Sequence, residues 1–332
     1  MLWCLRCAVI CLGLLDISAS ADSDPLVEQR DAAAWLKKIQ LAAQKQNYSG
    51  IFVYQQANRM HASRITHVVD GKNELEKLEI LDGRPREYIR NNDEVVCYLP
   101  EIRTLQVEKR STPDFFPAML AVNSSDLVEH YDIKKGDGGR IAGYDCQAIT
   151  LTPKDNLRYG YRLWAEKSSG LLMRAQTINE RNEVVEQITF AQVNIGNIDK
   201  ERVKPTFPNT VGWRIENAPV TEGLASGWSV AAIPAGFKKV HELKRTVTEA
   251  PQTKAGTSPS QHDVTQIVYS DGLAAISVFV EPGTRSRTEV SMQQGAMNIV
   301  GKRQGDFWLT IVGEVPDAAI KQVANSIEFK PK

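Results

Sequence analysis

The chain has 332 residues, and 40 basic residues balance 40 acidic ones, so the formal net charge is zero. Polyanion binding needs a net basic surface or stripe, so the balance argues against a nucleic-acid partner. With 42% hydrophobic residues, the chain is no disordered acidic tail, and its length predicts about two domains.

Residues 1–21 read as a secretory signal peptide. Arg6 leads into an apolar stretch from Cys7 to Leu15, and Ala19-Ser20-Ala21 forms a small-x-small cleavage site. The stretch is too short for a membrane anchor. Cleavage near Ala21 would remove Arg6 and Asp16, so the balance of zero would persist in an exported protein. It would also remove Cys4, Cys7 and Cys11, leaving Cys97 and Cys146. An even pair in an oxidising compartment points to a disulfide. Two separately buried thiols are the alternative.

Asp31 to Asn47 reads as a helix, with Trp35, Ile39, Ala42, Ala43 and Gln46 on one face and Asp31 as its cap. From Tyr48 the period changes to two. Strands are expected at Ser49–Gln55, Ala62–Val69, Leu75–Leu81, Arg86–Arg90, Val95–Leu99 and Thr104–Val107, with turn signals between them. Such short connections favour antiparallel neighbours. Thr112 to Leu127 reads as an apolar loop or short helix. Gly136 to Gly139 reads as a tight turn. Strands resume at Gly143–Thr152, Arg158–Glu166, Leu171–Asn179 and Val184–Asn194. Within Arg158–Glu166, Tyr159, Tyr161, Leu163 and Ala165 share a dry face, and Arg158, Arg162 and Trp164 a wetter one. About ten strands after one helix predict a large, bent antiparallel sheet wrapped around that helix.

Pro205 to Gly227 is rich in proline and glycine and weakly periodic, which marks residues 208–227 as a linker between a unit at 22–207 and one at 228–332. In the second unit, strands are expected at Ser229–Ile233, Phe237–Thr248, Val264–Tyr269, Ala274–Glu281, Ala296–Lys302 and Phe307–Val312. Ala250–Asp263 reads as a polar loop and Asp317–Ile327 as a final helix, giving an α+β unit.

Catalytic chemistry finds no support. The five histidines form no HExxH or close His-x-His, no cysteine pair has zinc spacing, and no GxSxG occurs. Neither catalytic residues, a metal nor a cofactor is therefore assigned. An apolar loop beside a curved sheet fits a binding protein better than an enzyme. On apolar character and position, Phe52, Phe115, Phe116, Met119 and Leu120 are the lipid-binding candidates.

The run from Tyr159 to Gly170, followed by Leu171-Leu172-Met173-Arg174 and Val185-Glu186-Gln187-Ile188-Thr189-Phe190, resembles the periplasmic sigma-E regulatory protein family, RseB/MucB. So do Asn47-Tyr48-Ser49-Gly50-Ile51-Phe52-Val53-Tyr54, Ile233-Pro234-Ala235-Gly236-Phe237, Tyr269-Ser270-Asp271-Gly272-Leu273-Ala274, Ser277 to Pro282 and Val312-Gly313-Glu314-Val315-Pro316. The ordered set covers nearly the whole mature chain, although no single motif is diagnostic.

The resemblance implies a large unclosed β-barrel around helices, similar to periplasmic lipoprotein carriers, plus a smaller α+β domain. It implies a non-catalytic negative regulator of the envelope stress response. Such a protein binds the periplasmic region of a membrane-spanning anti-sigma factor, shields it from proteolysis, and is released by lipopolysaccharide or mislocalised lipoprotein. Partner contacts would lie mainly in the second unit, where Trp228, Phe237, Tyr269, Phe279 and Trp308 are candidate anchors because aromatic residues dominate interfaces. A lipid or lipoprotein carrier is the competing reading, and a secreted hydrolase a third. Homo-oligomerisation stays open.

Overall fold

The computed structural model describes residues 25–109, 116–118, 124–217, 221–222, 226–249, 260–283 and 287–330. The expected signal segment lies outside them. Helix α1 (Pro25–Lys45) leads into strands β1 (Tyr48–Gln56), β2 (Arg59–Asp70), β3 (Asn73–Ile80), β4 (Arg86–Asn91), β5 (Glu94–Leu99) and β6 (Thr104–Lys109). A short helix α2 (Ser124–His130) precedes β7 (Tyr131–Ile141), β8 (Tyr144–Pro153), β9 (Gly160–Glu166), β10 (Leu172–Ile178) and β11 (Val184–Ile195). The second part holds β12 (Arg214–Asn217), β13 (Thr221–Glu222), β14 (Trp228–Val230), β15 (Lys238–Glu249), β16 (Ser260–Ser270) and β17 (Ala275–Pro282). It ends with β18 (Val290–Gln294), β19 (Met297–Gln304), β20 (Phe307–Gly313), α3 (Asp317–Asn325) and β21 (Ile327–Phe329).

The first sheet has twelve strands in the order β12-β6-β5-β4-β3-β2-β1-β11-β10-β9-β8-β7. Its ends, β12 and β7, do not pair, so the barrel is unclosed, as expected. β12 lies parallel to β6, and the other pairings in this sheet are antiparallel. α1 crosses one end of the sheet, against β7, β8 and β10. Its buried face is Ala32, Leu36, Ile39, Ala42 and Ala43, of which Ala32, Leu36 and Ile39 share one apolar core with Tyr131, Ile149, Leu163 and Leu172. Leu36 takes the core position that the period assigned to Trp35. Trp35 is half-buried, with the Lys38 ammonium 4.7 Å from its ring centre.

The second sheet has seven strands in the order β13-β15-β16-β17-β20-β19-β18, and a separate pair joins β14 to β21. α3 packs on one face through Ala319, Ile320, Val323 and Ala324. Beneath it lie Ile267, Ile276, Val278, Leu309 and Ile311.

Five elements depart from the periodicity. α1 begins at Pro25, so Asp31 lies inside the helix and does not cap it. The glycines at 136–139 sit inside β7, where the register with β8 shifts between Gly136 and Gly139, rather than in a turn. β16 starts at Ser260, inside the expected polar loop, and the last helix stops at Asn325, so Ile327 can pair with Val230. β18, an edge strand exposed on every residue, has no buried face to generate an alternating pattern.

The chain between the two sheets is built into both. Lys77 and Glu87, both buried, meet at 3.2 Å on β3 and β4. Lys77 donates to the Lys204 carbonyl (3.0 Å) and the Thr206 hydroxyl (2.6 Å), and Glu87 accepts from the Thr206 amide at 3.0 Å. Ile198 and Val203 pack on Val68 and Leu75. The strap then runs through Phe207 and Trp213, in ring contact with each other and, through Trp213, with Tyr98 of β5, to β12.

Candidate functional site

Two places carry the structure's chemistry: the concave face of the large sheet, and the seam between the sheets. On the concave face Phe52 and Phe116 are buried and come together with Phe190. Ring centres lie 5.5 Å apart for Phe52 and Phe116, 6.2 Å for Phe52 and Phe190, and 5.0 Å for Phe116 and Phe190. The structure thus joins two of the predicted lipid candidates. Phe115, Met119 and Leu120 lie outside the described residues.

Away from the helices, β4, β5 and β6 leave an open cavity of about 350 Å³, lined by Arg86, Tyr88, Val95, Cys97, Leu99, Gln106 and Glu108. Cys97 and Tyr88 are register partners, and Tyr88 packs against the core, which places the cavity on the concave side. Its wall is apolar along β5 and polar at the rim. Apart from Cys97, singled out for a different role, sequence reading missed these residues because each is an ordinary strand residue; only sheet curvature gathers them.

The expected bridge between Cys97 and Cys146 is not formed: neither buried cysteine is in a disulfide. β5 and β8 are eight strand positions apart in the sheet, so the sulfurs line distant parts of the half-barrel, and a bridge requires Cα atoms within about 7 Å. Cys97 walls the cavity, while Cys146 sits in the core, where burial pushes its thiol up to about 11.

The seam is centred on Arg158, just before β9. The alternation assigned it to the wetter face, yet its side chain is fully enclosed because the second sheet covers it. Its guanidinium donates to Asp271 Oδ2 at 3.0 Å, to Asp155 at 3.1 Å and to the Ala235 carbonyl at 2.5 Å. The rings of Tyr131 and Phe237 flank it, each centred 5.6 Å away. Asp271 also accepts from the Tyr131 hydroxyl at 3.1 Å, while its other oxygen caps its own turn through the amides of Leu273 (3.0 Å) and Ala274 (2.9 Å). Burial, and then the Asp271 charge, push the Tyr131 phenol well above its usual range, so it remains a donor. Every polar group at this junction has a partner, which is the condition for a buried ion pair to be tolerated.

Further contacts extend the seam. The Gln56 and Gln294 side chains are linked, Gln56 Nε2 donating to the Gln294 carbonyl and Gln294 Nε2 to Gln56 Oε1, both at 3.1 Å. Asn298 donates to the Tyr159 hydroxyl at 3.3 Å and the Val315 carbonyl at 2.8 Å. Gly236, with φ +83°, lies against the His130 ring, and a Cβ there would overlap it.

The five aromatic partner candidates divide between the faces of the second sheet. Trp228, Phe237 and Tyr269 are buried in its core, where Trp228 meets Phe307 (5.1 Å) and Phe329 (4.8 Å). They build the fold and expose little to a partner. Trp308 and Phe279 point to the opposite face. Trp308 is buried at 5% exposure beneath Arg287, and Phe279 is half-buried. Among the described residues no cluster of His, Cys, Asp and Glu has metal-binding geometry, and no helix is long and apolar enough to cross a membrane.

Residues 31–207 match the MucB/RseB N-terminal domain, and residues 222–328 match the MucB/RseB C-terminal domain. The chain is 27% identical over 322 residues to the sigma-E factor regulatory protein RseB of Salmonella typhimurium, covering 95% of each chain. It is 27% identical over 334 residues to the sigma factor AlgU regulatory protein MucB of Pseudomonas aeruginosa, covering 95% of this chain and 96% of that one. A chain of the solved Pseudomonas aeruginosa MucA/MucB complex shares the fold with a TM-score of 0.69 at 24% identity, over 91% of this chain and 100% of that one. The ordered motifs, the unclosed sheet and the matches in both halves converge: this chain belongs to the MucB/RseB family.

Proposed function

We propose that this protein is an exported, non-catalytic negative regulator of an extracytoplasmic sigma factor. It binds the periplasmic region of a membrane-spanning anti-sigma factor and shields it from regulated proteolysis. Lipopolysaccharide or the acyl chains of mislocalised lipoprotein, bound on the concave face, release it. The observation that carries this reading is family membership across both halves, joined to an open half-barrel with a cavity on its β4–β6 wall. The relatives' names as sigma-factor regulators support it, as does the solved MucA/MucB complex.

The division of labour follows the two sheets, with residues 22–207 sensing lipid, 208–227 connecting, and 228–332 holding the anti-sigma factor. Phe279, half-buried on the outer face of the second sheet, is the partner anchor best placed to act. Release is linkage: a ligand that binds the free form more tightly than the complex weakens the complex by the same factor. The strap from β11 to β12 offers a path, since it rests on β2, β3, β4 and β6 before entering the second sheet.

The test is a titration of the anti-sigma factor's purified periplasmic segment with this protein, with and without lipopolysaccharide. Saturable binding that lipopolysaccharide weakens is expected. Absence of binding would defeat the regulator reading. Transfer of bound lipid to an acceptor protein, without any effect on that segment, would favour the carrier reading instead.

A further inference from the structure

The cavity on β4–β6 has a direction. A smaller cavity of about 90 Å³, bounded by Arg84, Glu101 and Ile102, shares Arg86 and Leu99 with the one of about 350 Å³, so the two form one trough. Leu99, Cys97 and Val95 alternate onto the concave face of β5 and make its apolar floor. From Leu99 to Val95 that floor runs about 13 Å along the strand.

Charge is unequal along the trough. Arg84 and Arg86 stand at the Leu99 end, and Glu108, the register partner of Val95, stands at the other. The cross-strand neighbours of Arg86 are Ile80 and Leu99, so no acid lies directly opposite it. Glu87, next in sequence, points to the other face of the sheet, where Lys77 and the Thr206 amide hold it. Glu101 is placed against Arg84, at 3.4 Å. Arg86 is therefore the guanidinium at the junction of the two cavities, and it is exposed to solvent.

We propose that the trough holds one single-chain amphiphile with an anionic head, a fatty acid or a lysophospholipid. Its carboxylate or phosphate sits on Arg86, and its acyl chain runs along Leu99, Cys97 and Val95 towards Glu108. The proposal rests on the reading that the concave face binds lipid, and adds the ligand's class, its direction and the residue that selects it. A guanidinium meets a carboxylate or phosphate through two parallel N–H bonds, which an ammonium cannot do. The apolar floor takes the chain out of water. Glu108 disfavours a head that enters the other way round, because like charges repel. The larger cavity, about 350 Å³, is at the small end of the roughly 300–1,000 Å³ range of ligand pockets, which suits one chain rather than several.

The test measures lipid binding to the full chain by calorimetry, below micelle-forming concentrations. Three probes of equal chain length are compared: laurate, lauroyl-lysophosphatidylglycerol and neutral monolaurin. Both anions are expected to bind at least about tenfold more tightly than monolaurin, and the tighter of the two names the source. R86M should bring the anions down to the level of monolaurin, with unchanged thermal unfolding because Arg86 is exposed. R86K should keep part of the preference, since it retains the charge and loses the fork. K37Q, which removes one charge from the exposed side of α1, should bind all three probes as wild type does. A fatty acid spin-labelled at its tail should broaden the Val95 methyl signals more than one labelled near its head. Equal binding of the three probes by wild type, or an R86M variant that still prefers anions, would overturn the site. Stronger broadening of Val95 by the head label would overturn the direction. A chain that binds the anions as expected but has no affinity for the anti-sigma segment supports the site and defeats only the regulator reading.

Discussion

Arg158 and Asp271 are 113 residues apart and flank strands of different sheets, yet their side chains meet at 3.0 Å with 0% and 1% exposure. Removing one partner leaves the other as an unpaired buried charge. R158M and D271L are therefore each expected to lower unfolding stability by about 3–5 kcal/mol. The double variant should recover much of that loss, because two apolar groups leave no orphan charge. Urea unfolding of the four proteins measures it; additive losses would show that the pair is not coupled.

A second prediction concerns acid. Glu74 is partly buried, which alone would raise its pKa, but hydrogen bonds and charge from His67 and Arg90 outweigh burial and hold it at about 2 rather than 4.5. The folded state thus binds this proton less readily than the unfolded chain. Its stabilising contribution is present above about pH 4.5 and is lost as pH falls towards about 2. E74Q should be less stable at neutral pH and show a flatter stability profile across that window. Melting temperatures measured from pH 5 to pH 2 check the sign.

The cavity on β4–β6 can be closed from its own wall. Leu99→Trp is expected to fill much of its roughly 350 Å³ and to weaken binding of a fluorescent fatty acid at least about tenfold. The variant should still bind the anti-sigma segment, with a blunted response to lipid. Phe52→Ala, by contrast, removes a ring from a buried trio and should cost about 3–5 kcal/mol of stability. Comparing the two variants by lipid titration and denaturation separates a binding wall from a packing residue.

Gly236 offers a test of the seam that involves no charge. G236A both places a methyl group into the His130 ring and forces alanine to φ +83°. It should destabilise the protein by about 1–3 kcal/mol or more. H130A added to it relieves the overlap but not the backbone strain, so rescue should be partial. Complete rescue in thermal melts would show that the steric term acts alone.

Much of the architecture was legible locally. The change of period at Tyr48, turn signals between short strands and the dry face of Tyr159, Tyr161, Leu163 and Ala165 identified a large antiparallel sheet, because one covered face imposes alternation on every strand. β7 and β18 escaped notice for the same reason. Strands exposed on most residues carry no alternation, and glycines within one mimic a turn. Phe52 and Phe116 were legible as apolar groups, and the structure packs them together in the core. Arg86, Tyr88, Val95 and Leu99 were not, since nothing in their local sequence distinguishes a cavity wall from an ordinary strand.

Composition and order along the chain by themselves determined the neutral charge, the two-part organisation of motifs, the mostly antiparallel fold and, through the ordered motifs, the family. These are properties of each segment's own periodicity and turns. Tertiary structure decided what depends on distant segments meeting. It left Cys97 and Cys146 on separate strands without a bridge, turned Trp228, Phe237 and Tyr269 into core, and enclosed Arg158 under a second sheet where alternation had promised solvent. A side chain's environment is set by what packs over it, and strand period reports only which face it is on.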